Sequence, residues 1–171
     1  MQSLCDRWEF VSDWYDGFAV GEGEGECVRL PHTVKEIPQH YADSQSYQMV
    51  CGYRKKLTLD PTLAGKRLFV QFDGAAHIAT VYLNGKELAT HRCGYTAFRV
   101  DITALLKEQN ELTVIADNSK NDFVYPQKAD FTFYGGIYRT VSLLVVSKDH
   151  IALDHFGGPG VQITPTVQGA N

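Results

Sequence analysis

The chain has 171 residues, of which 44% are hydrophobic and 21% are charged, and its formal net charge is −4. These values are ordinary for a one-domain globular protein that can bury a sizeable core. There is no long run of Lys and Arg, which argues against a nucleic-acid partner. The one short basic cluster, Arg54-Lys55-Lys56, is expected on a solvated strand face. No apolar run reaches the roughly 20 residues of a membrane span, so we expect no membrane partner.

The cysteines and histidines of the chain predict no metal site and no cofactor. Four cysteines, at positions 5, 27, 51 and 93, form no C-x-x-C pair, and the six histidines lack metal-site spacing; zinc and redox motifs need closer spacing. The N-terminus has neither the charged nor the apolar region of a signal peptide. We therefore expect a cytoplasmic protein with free, buried thiols.

Short segments rich in Val, Leu, Ile, Thr and aromatic residues, bounded by turn residues, follow one another along the chain. In chain order, the predicted strands are residues 8–12, 28–30, 53–59, 66–72, 75–83, 87–91, 98–102, 112–116 and 137–146. Many short strands with little helix indicate an all-β sandwich. The glycine-rich connection at residues 13–26 is predicted to be a mobile loop or hairpin tip.

Asn84-Gly85 is the strongest local turn signal, because alternating runs flank it as a two-residue type I′ hairpin requires. The alternation places Ala79, Val81 and Leu83 on one face of the strand before the turn. The best helical candidate, residues 103–108, lasts about one turn, and Thr103 is the residue type that can cap it.

Three segments carry a resemblance to a known family: residues 72–85, residues 94–103 and residues 130–143, the last with an aromatic-rich loop before Gly135-Gly136. Together they resemble the N-terminal sugar-binding domain of family 2 glycoside hydrolases, the β-galactosidase and β-glucuronidase family. The resemblance spans roughly residues 8–146. It implies a jelly-roll β-sandwich of the galactose-binding-domain type. The two adjacent glycines are expected where the backbone takes a positive φ or passes close to another segment.

The resemblance gives Asp130 a role. In the family, the Asp at this point of the motif accepts hydrogen bonds from hydroxyls of the terminal sugar, and in some members it helps to hold a metal ion. An ionised carboxylate suits this task because it only accepts hydrogen bonds. From local chemistry, Asp130 could instead cap the turn or pair with Arg139, which we expect in mid-strand with a buried ion pair. Tyr134 and Phe131 are candidates for a sugar-stacking wall, with core packing as the alternative.

No catalytic residue is expected in this chain. Retaining glycoside hydrolysis uses two carboxyl groups about 5 Å apart, and the one dense acidic cluster, Glu22, Glu24 and Glu26, is expected to be solvated. The resemblance implies that two glutamates of an absent catalytic barrel act in the parent, whose active site can also hold a metal ion. His32, in the family motif Leu30-Pro-His-Thr33, is expected to be structural. The family asparagine used by some β-galactosidases has no counterpart near residues 47–53. The sequence therefore does not predict which sugar is recognised.

A Gly/Pro break after His150 predicts a domain boundary. We expect residues 1–149 to form the jelly roll and residues 150–171 to be a linker plus the start of a truncated, immunoglobulin-like domain. The implied partners are carbohydrate, that domain, the catalytic barrel and further copies of the parent in a homo-oligomer.

The leading interpretation is a non-catalytic sugar-binding domain of a glycoside hydrolase that acts on terminal β-glycosides. It would brace the catalytic barrel and contribute to substrate recognition. The alternatives are a free-standing carbohydrate-binding module with no enzyme attached and a purely structural domain in which Asp130 has no ligand.

Overall fold

The computed structural model describes residues 1–36, 43, 46–124, 127, 132–153 and 157–169. Ten strands are found there: β1 (Gln2–Ser3), β2 (Trp8–Val11), β3 (Glu26–Val28), β4 (Val50–Leu57), β5 (Arg67–Phe72), β6 (Ile78–Leu83), β7 (Lys86–His91), β8 (Phe98–Asp101), β9 (Asn110–Asp117) and β10 (Val141–Val146). The helical elements of these residues are three short 3₁₀ turns, Asp16–Val20, Pro61–Leu63 and Thr103–Leu105.

The strands form two antiparallel sheets. The four-stranded sheet has the order β1-β10-β5-β8, and the six-stranded sheet has the order β3-β2-β4-β9-β6-β7. The predicted all-β jelly-roll sandwich is therefore confirmed. Within the described ranges, no helix has the length and apolar character needed to cross a membrane.

The core lies between the two sheets and follows the period of two along each strand. Ala79, Val81 and Leu83 are fully buried, which confirms the predicted face of β6. Asn84 and Gly85 have φ values of 53° and 78°, as the predicted type I′ turn requires. The other large contributors to the core are apolar and aromatic side chains of facing strands, among them Trp8, Tyr53, Leu68, Phe72, Leu112 and Leu143.

Thr103 does not cap a helix. The 3₁₀ turn spans only Thr103–Leu105, and no side chain caps it. The Thr103 hydroxyl instead accepts a hydrogen bond from the Leu68 N–H at 2.9 Å and donates one to the Leu68 carbonyl at 3.3 Å. The threonine therefore bonds the turn to β5. Local capping patterns do not indicate this contact, because the turn and β5 are distant in sequence.

Residues 13–25, here called the cover segment, are packed onto the outer face of the six-stranded sheet. Of the two expectations for it, the hairpin tip is confirmed, because β2 and β3 on either side pair antiparallel, and the mobile loop is wrong, because Phe18 is fully buried. Gly52 of β4 makes room for it: a Cβ built there would lie 3.0 Å from Phe18 and 3.0 Å from Trp14. Trp14 in turn stacks on Tyr82 of β6, with ring centroids 6.3 Å apart. The segment thus forms a small second core on the outside of the sheet.

Arg54 fixes the backbone of the cover segment, so the expectation of a solvated basic cluster is wrong for Arg54, although Lys56 is exposed as expected. The Arg54 side chain is only 4% exposed. Its guanidinium donates to the carbonyls of Phe18, Glu22 and Gly23 at 3.3, 3.0 and 2.7 Å. The same group pairs with the Glu9 carboxylate and lies 4.2 Å from the centre of the Phe18 ring. Burial of this charge is tolerated because three carbonyls, a carboxylate and an aromatic ring surround the guanidinium.

The chain after β10 folds back against β8. Nη1 of Arg99 donates to the Leu153 carbonyl at 3.1 Å and to the Gly158 carbonyl at 2.7 Å, so this part is attached to the domain. Residues 161–169 are exposed and form no strand. The predicted boundary at residue 149 and the immunoglobulin-like start remain predictions.

All four cysteines are free, as expected. Cys5 and Cys51 are buried, whereas Cys27 is exposed and Cys93 is half-buried, so the expected burial holds for only two of them. Burial raises the pKa of Cys51 to about 12, which keeps that thiol protonated and unreactive.

Candidate functional site: an aromatic cleft beside Gly135-Gly136

The segment around Gly135-Gly136 runs between two other parts of the backbone. On one side, the His32 N–H donates to the Ile137 carbonyl at 2.9 Å. On the other, Ala76 and Gly136 form an isolated bridge in which the Ala76 N–H donates to the Gly136 carbonyl at 2.9 Å. These bonds replace the strand pairing predicted from residue 137 onward, and β10 therefore begins only at Val141.

Close packing explains both glycines. A Cβ on Gly135 would lie 2.4 Å from Cγ of Asn118, and one on Gly136 would lie 2.4 Å from the Tyr53 hydroxyl. Gly136 also has a φ of 100°, in the region that side chains with a Cβ rarely adopt. The expected reasons for glycine, a positive φ and a close approach of backbone, are both present.

Tyr53 and His32 support this crossing from the core side. The Tyr53 hydroxyl lies 2.9 Å from Nδ1 of His32. Burial raises the pKa of Tyr53 and lowers the pKa of His32, and the latter effect exceeds the opposing influence of Glu26 and Glu36. Burial thus favours the neutral form of each side chain. This contact agrees with the expected structural role of His32.

Asn118 follows directly after β9 and joins the crossing to the connection before β4. It is 1% exposed. Its Oδ1 accepts from the Met49 N–H at 3.0 Å, and its Nδ2 donates to the carbonyls of Tyr47 at 2.9 Å and Phe133 at 3.2 Å. The amide therefore uses its acceptor and its donors on two separate connections of the fold.

Tyr134 lies in the wall of an aromatic cleft of about 340 Å³. The side chain is 37% exposed, and its ring centroid lies 6.4 Å from that of Tyr47. The cleft is lined by Thr33, Ala76, Tyr95, Thr132, Phe133, Tyr134 and Tyr138. Its volume is in the range of small-ligand sites, and tyrosine rings combine an apolar face with a polar edge. Such a surface can take the apolar face of a sugar ring while hydroxyls bond at its rim.

Arg139 and Tyr138 hold the Tyr95 side of this cleft. The Tyr138 hydroxyl donates to the Gly94 carbonyl, and the Arg139 guanidinium donates to the carbonyls of Tyr95 at 2.9 Å and Asp73 at 3.3 Å. Arg139 is exposed, precedes β10, and forms no ion pair with any described residue. The expected mid-strand position and the expected burial of Arg139 are therefore wrong, whereas its pairing with Asp130, which lies outside the described residues, stays a prediction.

Asp130 and Phe131, two of the predicted site residues, lie outside the described residues, so their roles remain predictions. The acidic cluster is solvated as expected, since Glu22, Glu24 and Glu26 are all exposed. In the described part of the chain, no group of three or more His, Cys, Asp and Glu side chains is placed to hold a metal ion.

The two histidines flanking the Asn84-Gly85 hairpin have separate partners. His77 lies 3.2 Å from the Gln127 amide, and His91 lies 3.0 Å from the Thr96 hydroxyl and stacks on Phe98. Burial lowers the pKa of both imidazoles. These contacts give each imidazole a partner of its own within the fold.

Residues 28–147, well over half of the chain, match the family described as glycosyl hydrolases family 2, sugar binding domain. The chain belongs to family 2 of the glycosyl hydrolases. It is their sugar-binding domain, as the resemblance of the motifs predicts. The matched range contains every residue of the aromatic cleft and the Asn118 contacts beside it.

Relatives of this family 2 domain are much longer proteins. The chain is 40% identical over 149 residues to a β-glucuronidase of Bacteroides fragilis, covering 85% of the chain and 21% of the relative. It is 35% identical over 148 residues to a β-galactosidase of Thermoanaerobacter pseudethanolicus, covering 84% and 20%. The crystal structure of a β-glucuronidase from Bacteroides uniformis matches with a TM-score of 0.82 at 34% identity, covering 91% of the chain and 19% of that protein. The chain thus spans about a fifth of each.

Sequence reasoning about this family 2 domain missed Asn118, Tyr95 and Tyr138. A signal for Asn118 exists, because two polar residues, Asp117 and Asn118, directly follow the apolar run of β9. The run Gly94-Tyr95 lies within a segment that carries the family resemblance, but nothing local shows that it faces Tyr134. Four stretches far apart in sequence, at residues 33, 76, 95 and 132–138, meet at the cleft, and only the pairing of the sheets brings them together.

Proposed function

We propose that this chain is the sugar-binding domain of a larger glycosidase that hydrolyses terminal β-glycosides of the β-galactoside or β-glucuronide type. The observation that carries the proposal is the match of residues 28–147 to the sugar-binding domain of family 2, in a chain that spans about a fifth of relatives named β-galactosidase and β-glucuronidase. In this proposal the bond-breaking carboxylates belong to the catalytic barrel of the parent, and the domain braces that barrel and helps to bind the sugar.

Within the domain, we assign substrate recognition to Asp130 and Tyr134. Asp130 would accept hydrogen bonds from the hydroxyls of the terminal sugar, as the family motif implies. The aromatic cleft beside the motif supports a role for Tyr134, because this ring is partly exposed there and fixed by its contact with Tyr47. The proposal also includes a metal ion in the parent active site, which metal analysis of the parent tests. It places the parent in the cytoplasm and makes it a homo-oligomer, which cell fractionation and size-exclusion chromatography test.

The test is turnover of chromogenic β-galactosides, β-glucuronides and β-mannosides by the full-length parent and by this chain alone. We expect activity in the parent and none in the chain. Asp130→Ala in the parent should lower kcat/KM by roughly ten-fold to a few thousand-fold, because one or two charge-assisted hydrogen bonds of about 1.5 to 3 kcal/mol are lost. Asp130→Asn should lose less, since it keeps the shape.

A matched control for Tyr134 is Tyr15, which has a similar exposure of 40% but lies in the cover segment. Tyr134→Ala should raise KM, whereas Tyr15→Ala should leave it unchanged. Normal kcat/KM together with a large loss of Tm in Asp130→Ala would show a structural role instead. Sugar binding by a parent that has no hydrolase activity would favour the free-standing binding module.

A further inference from the structure

Asn118 makes more contacts at the cleft than a residue that only ends a strand would need. Its side-chain oxygen accepts from Met49, and its amide nitrogen donates to Tyr47 and Phe133. A planar carboxamide offers an acceptor and two donors in one fixed plane, a combination that only Asn and Gln side chains provide. Asp lacks the donors, and an apolar side chain of the same shape would take a partner from three backbone groups, one buried and two half-buried.

These contacts fix the backbone on both sides of Tyr134. The Phe133 carbonyl, which accepts from Nδ2, belongs to the peptide group that precedes Tyr134. Gly135, which follows Tyr134, lies against the Asn118 amide so closely that a Cβ there would approach it to 2.4 Å. The Tyr47 carbonyl is held by the same nitrogen. One amide therefore holds the backbone next to Tyr134 in the cleft wall and the backbone of buried Tyr47, whose ring contacts that of Tyr134.

The backbone of Asn118 adds a third attachment. Its carbonyl accepts from Nε2 of Gln127 at 3.0 Å, and the same nitrogen lies 3.2 Å from Nδ1 of His77. In the sequence, Asp130 stands three residues after Gln127 and three before Phe133. Asn118 thus holds a residue on each side of the stretch that contains the proposed sugar ligand.

We infer that Asn118 is the positioning residue of the sugar site, and that it acts through Tyr134 and the flanking connections rather than by touching the sugar. This inference rests on the proposed function of the domain. A reacting group displaced by about 1 Å can cost roughly 100-fold in rate, so a clamp at this point controls how well the parent recognises its substrate.

The chain contains a matched control in Asn110. It stands at the opposite end of β9, is 4% exposed, and also uses both ends of its amide, with Oδ1 accepting from the Lys107 N–H at 2.7 Å and Nδ2 donating to the Lys107 carbonyl at 2.8 Å. Its Oδ1 also accepts from the Asn84 amide at 3.1 Å. Asn110 therefore has the same chemistry and burial, but it clamps the hairpin end of the sandwich instead of the cleft.

The experiment compares Asn118→Ala, Asn118→Asp and Asn110→Ala in the full-length parent, measuring kcat, KM, Tm and amide hydrogen exchange. We expect comparable losses of Tm in the two Ala variants. Asn118→Ala should lower kcat/KM by about ten-fold to 100-fold, mostly through KM, whereas Asn110→Ala should stay within about two-fold. Asn118→Asp keeps the acceptor for Met49 and lacks the donors for Tyr47 and Phe133, so it should lose at least as much as Asn118→Ala.

Exchange gives a readout that does not depend on activity. Amides of residues 46–49 and 132–136 should exchange at least ten-fold faster in both Asn118 variants and remain as in the wild type in Asn110→Ala. Equal kcat/KM in the Asn118 and Asn110 variants, or unchanged exchange at these two segments, would overturn the inference. A wild-type parent that hydrolyses none of the three glycosides would instead overturn the proposed function, and the exchange data would still decide whether the clamp exists.

Discussion

The cover segment and the Gly135-Gly136 crossing are both glycine-containing connections, and each is held by one buried polar side chain that binds backbone carbonyls. In the cover segment that side chain is Arg54, a charge paired with Glu9. At the crossing it is Asn118, which is neutral. The cover segment packs its own aromatic ring, Phe18, against the outer face of the sheet, where this ring is fully buried. The crossing leaves its tyrosines partly exposed in a cleft.

This difference separates a connection that completes the fold from one that lines a cleft. A guanidinium keeps its charge and can bind carbonyls in several directions. It therefore suits a segment whose backbone must be held against a sheet at several points. A carboxamide sets a more limited geometry without a charge that would compete for ligand groups. Aromatic rings that pack inward stabilise the domain, whereas rings that remain at the surface are available for binding.

The largest expected effect is on the cover segment. Phe18→Ala should lower the free energy of unfolding by about 3 to 5 kcal/mol, because it removes a fully buried ring from the small outer core. Val20→Ala, in the same segment but at a position that is 64% exposed, should change it by less than about 0.5 kcal/mol. Chemical denaturation of the chain measures both. Equal, small effects would mean that the segment is the mobile loop expected from its sequence.

A middle-sized effect is expected at the crossing. Gly136→Ala places a Cβ against the Tyr53 hydroxyl and the His32 carbonyl at a φ of 100°, and should cost about 2 to 4 kcal/mol. Gly65→Ala is the matched control: its φ is 77°, but nothing lies within 4 Å of the added Cβ. It should cost only about 1 to 2 kcal/mol. Denaturation midpoints that coincide for the two variants would show that the close approach contributes nothing.

The smallest expected effect is a pH dependence that differs between the two regions. Burial lowers the pKa of His32 and His77 at the crossing below the ordinary 6.5. As the pH falls, the unfolded chain therefore takes up protons before the folded chain does. The contribution of these histidines to the free energy of unfolding is fully present above about pH 6.5 and is lost as the pH falls toward the lower folded pKa values. The slope is at most about 1.4 kcal/mol per pH unit for each histidine.

The cover segment should show no such loss in that range. Burial raises the pKa of Glu111, beside Arg54, above 4.5 despite the attraction of Arg54, so its folded state takes up the proton first and stability does not fall as the pH approaches that value. Protection factors of the two regions, measured at pH 7 and pH 5, test the contrast. Replacing His32 and His77 by Gln should remove the pH effect at the crossing; a loss that persists in this double variant would assign it to other groups.

The sequence by itself determined the fold class, most of the strands and the type I′ turn. These depend on local chemistry: alternation of apolar residues along a strand, and a pair of residues that tolerates positive φ. It also determined the family, because residues 72–85, 94–103 and 130–143 carry the motifs. The same kind of local pattern wrongly predicts that Arg54 is solvated and that the loop containing the glycines at 17, 21, 23 and 25 is mobile. Polarity and flexibility in a sequence do not show what a segment packs against.

Only the tertiary structure decided which residues meet at the cleft. Asn118, Tyr47 and Phe133 are brought together because β9 lies beside β4 and ends where the crossing passes. Tyr95 reaches the same place through carbonyl contacts with Arg139. The physical reason is that a buried polar side chain must satisfy its hydrogen bonds with whatever backbone the packed sheets bring to it, and this depends on strand pairing across the whole chain rather than on neighbours in sequence.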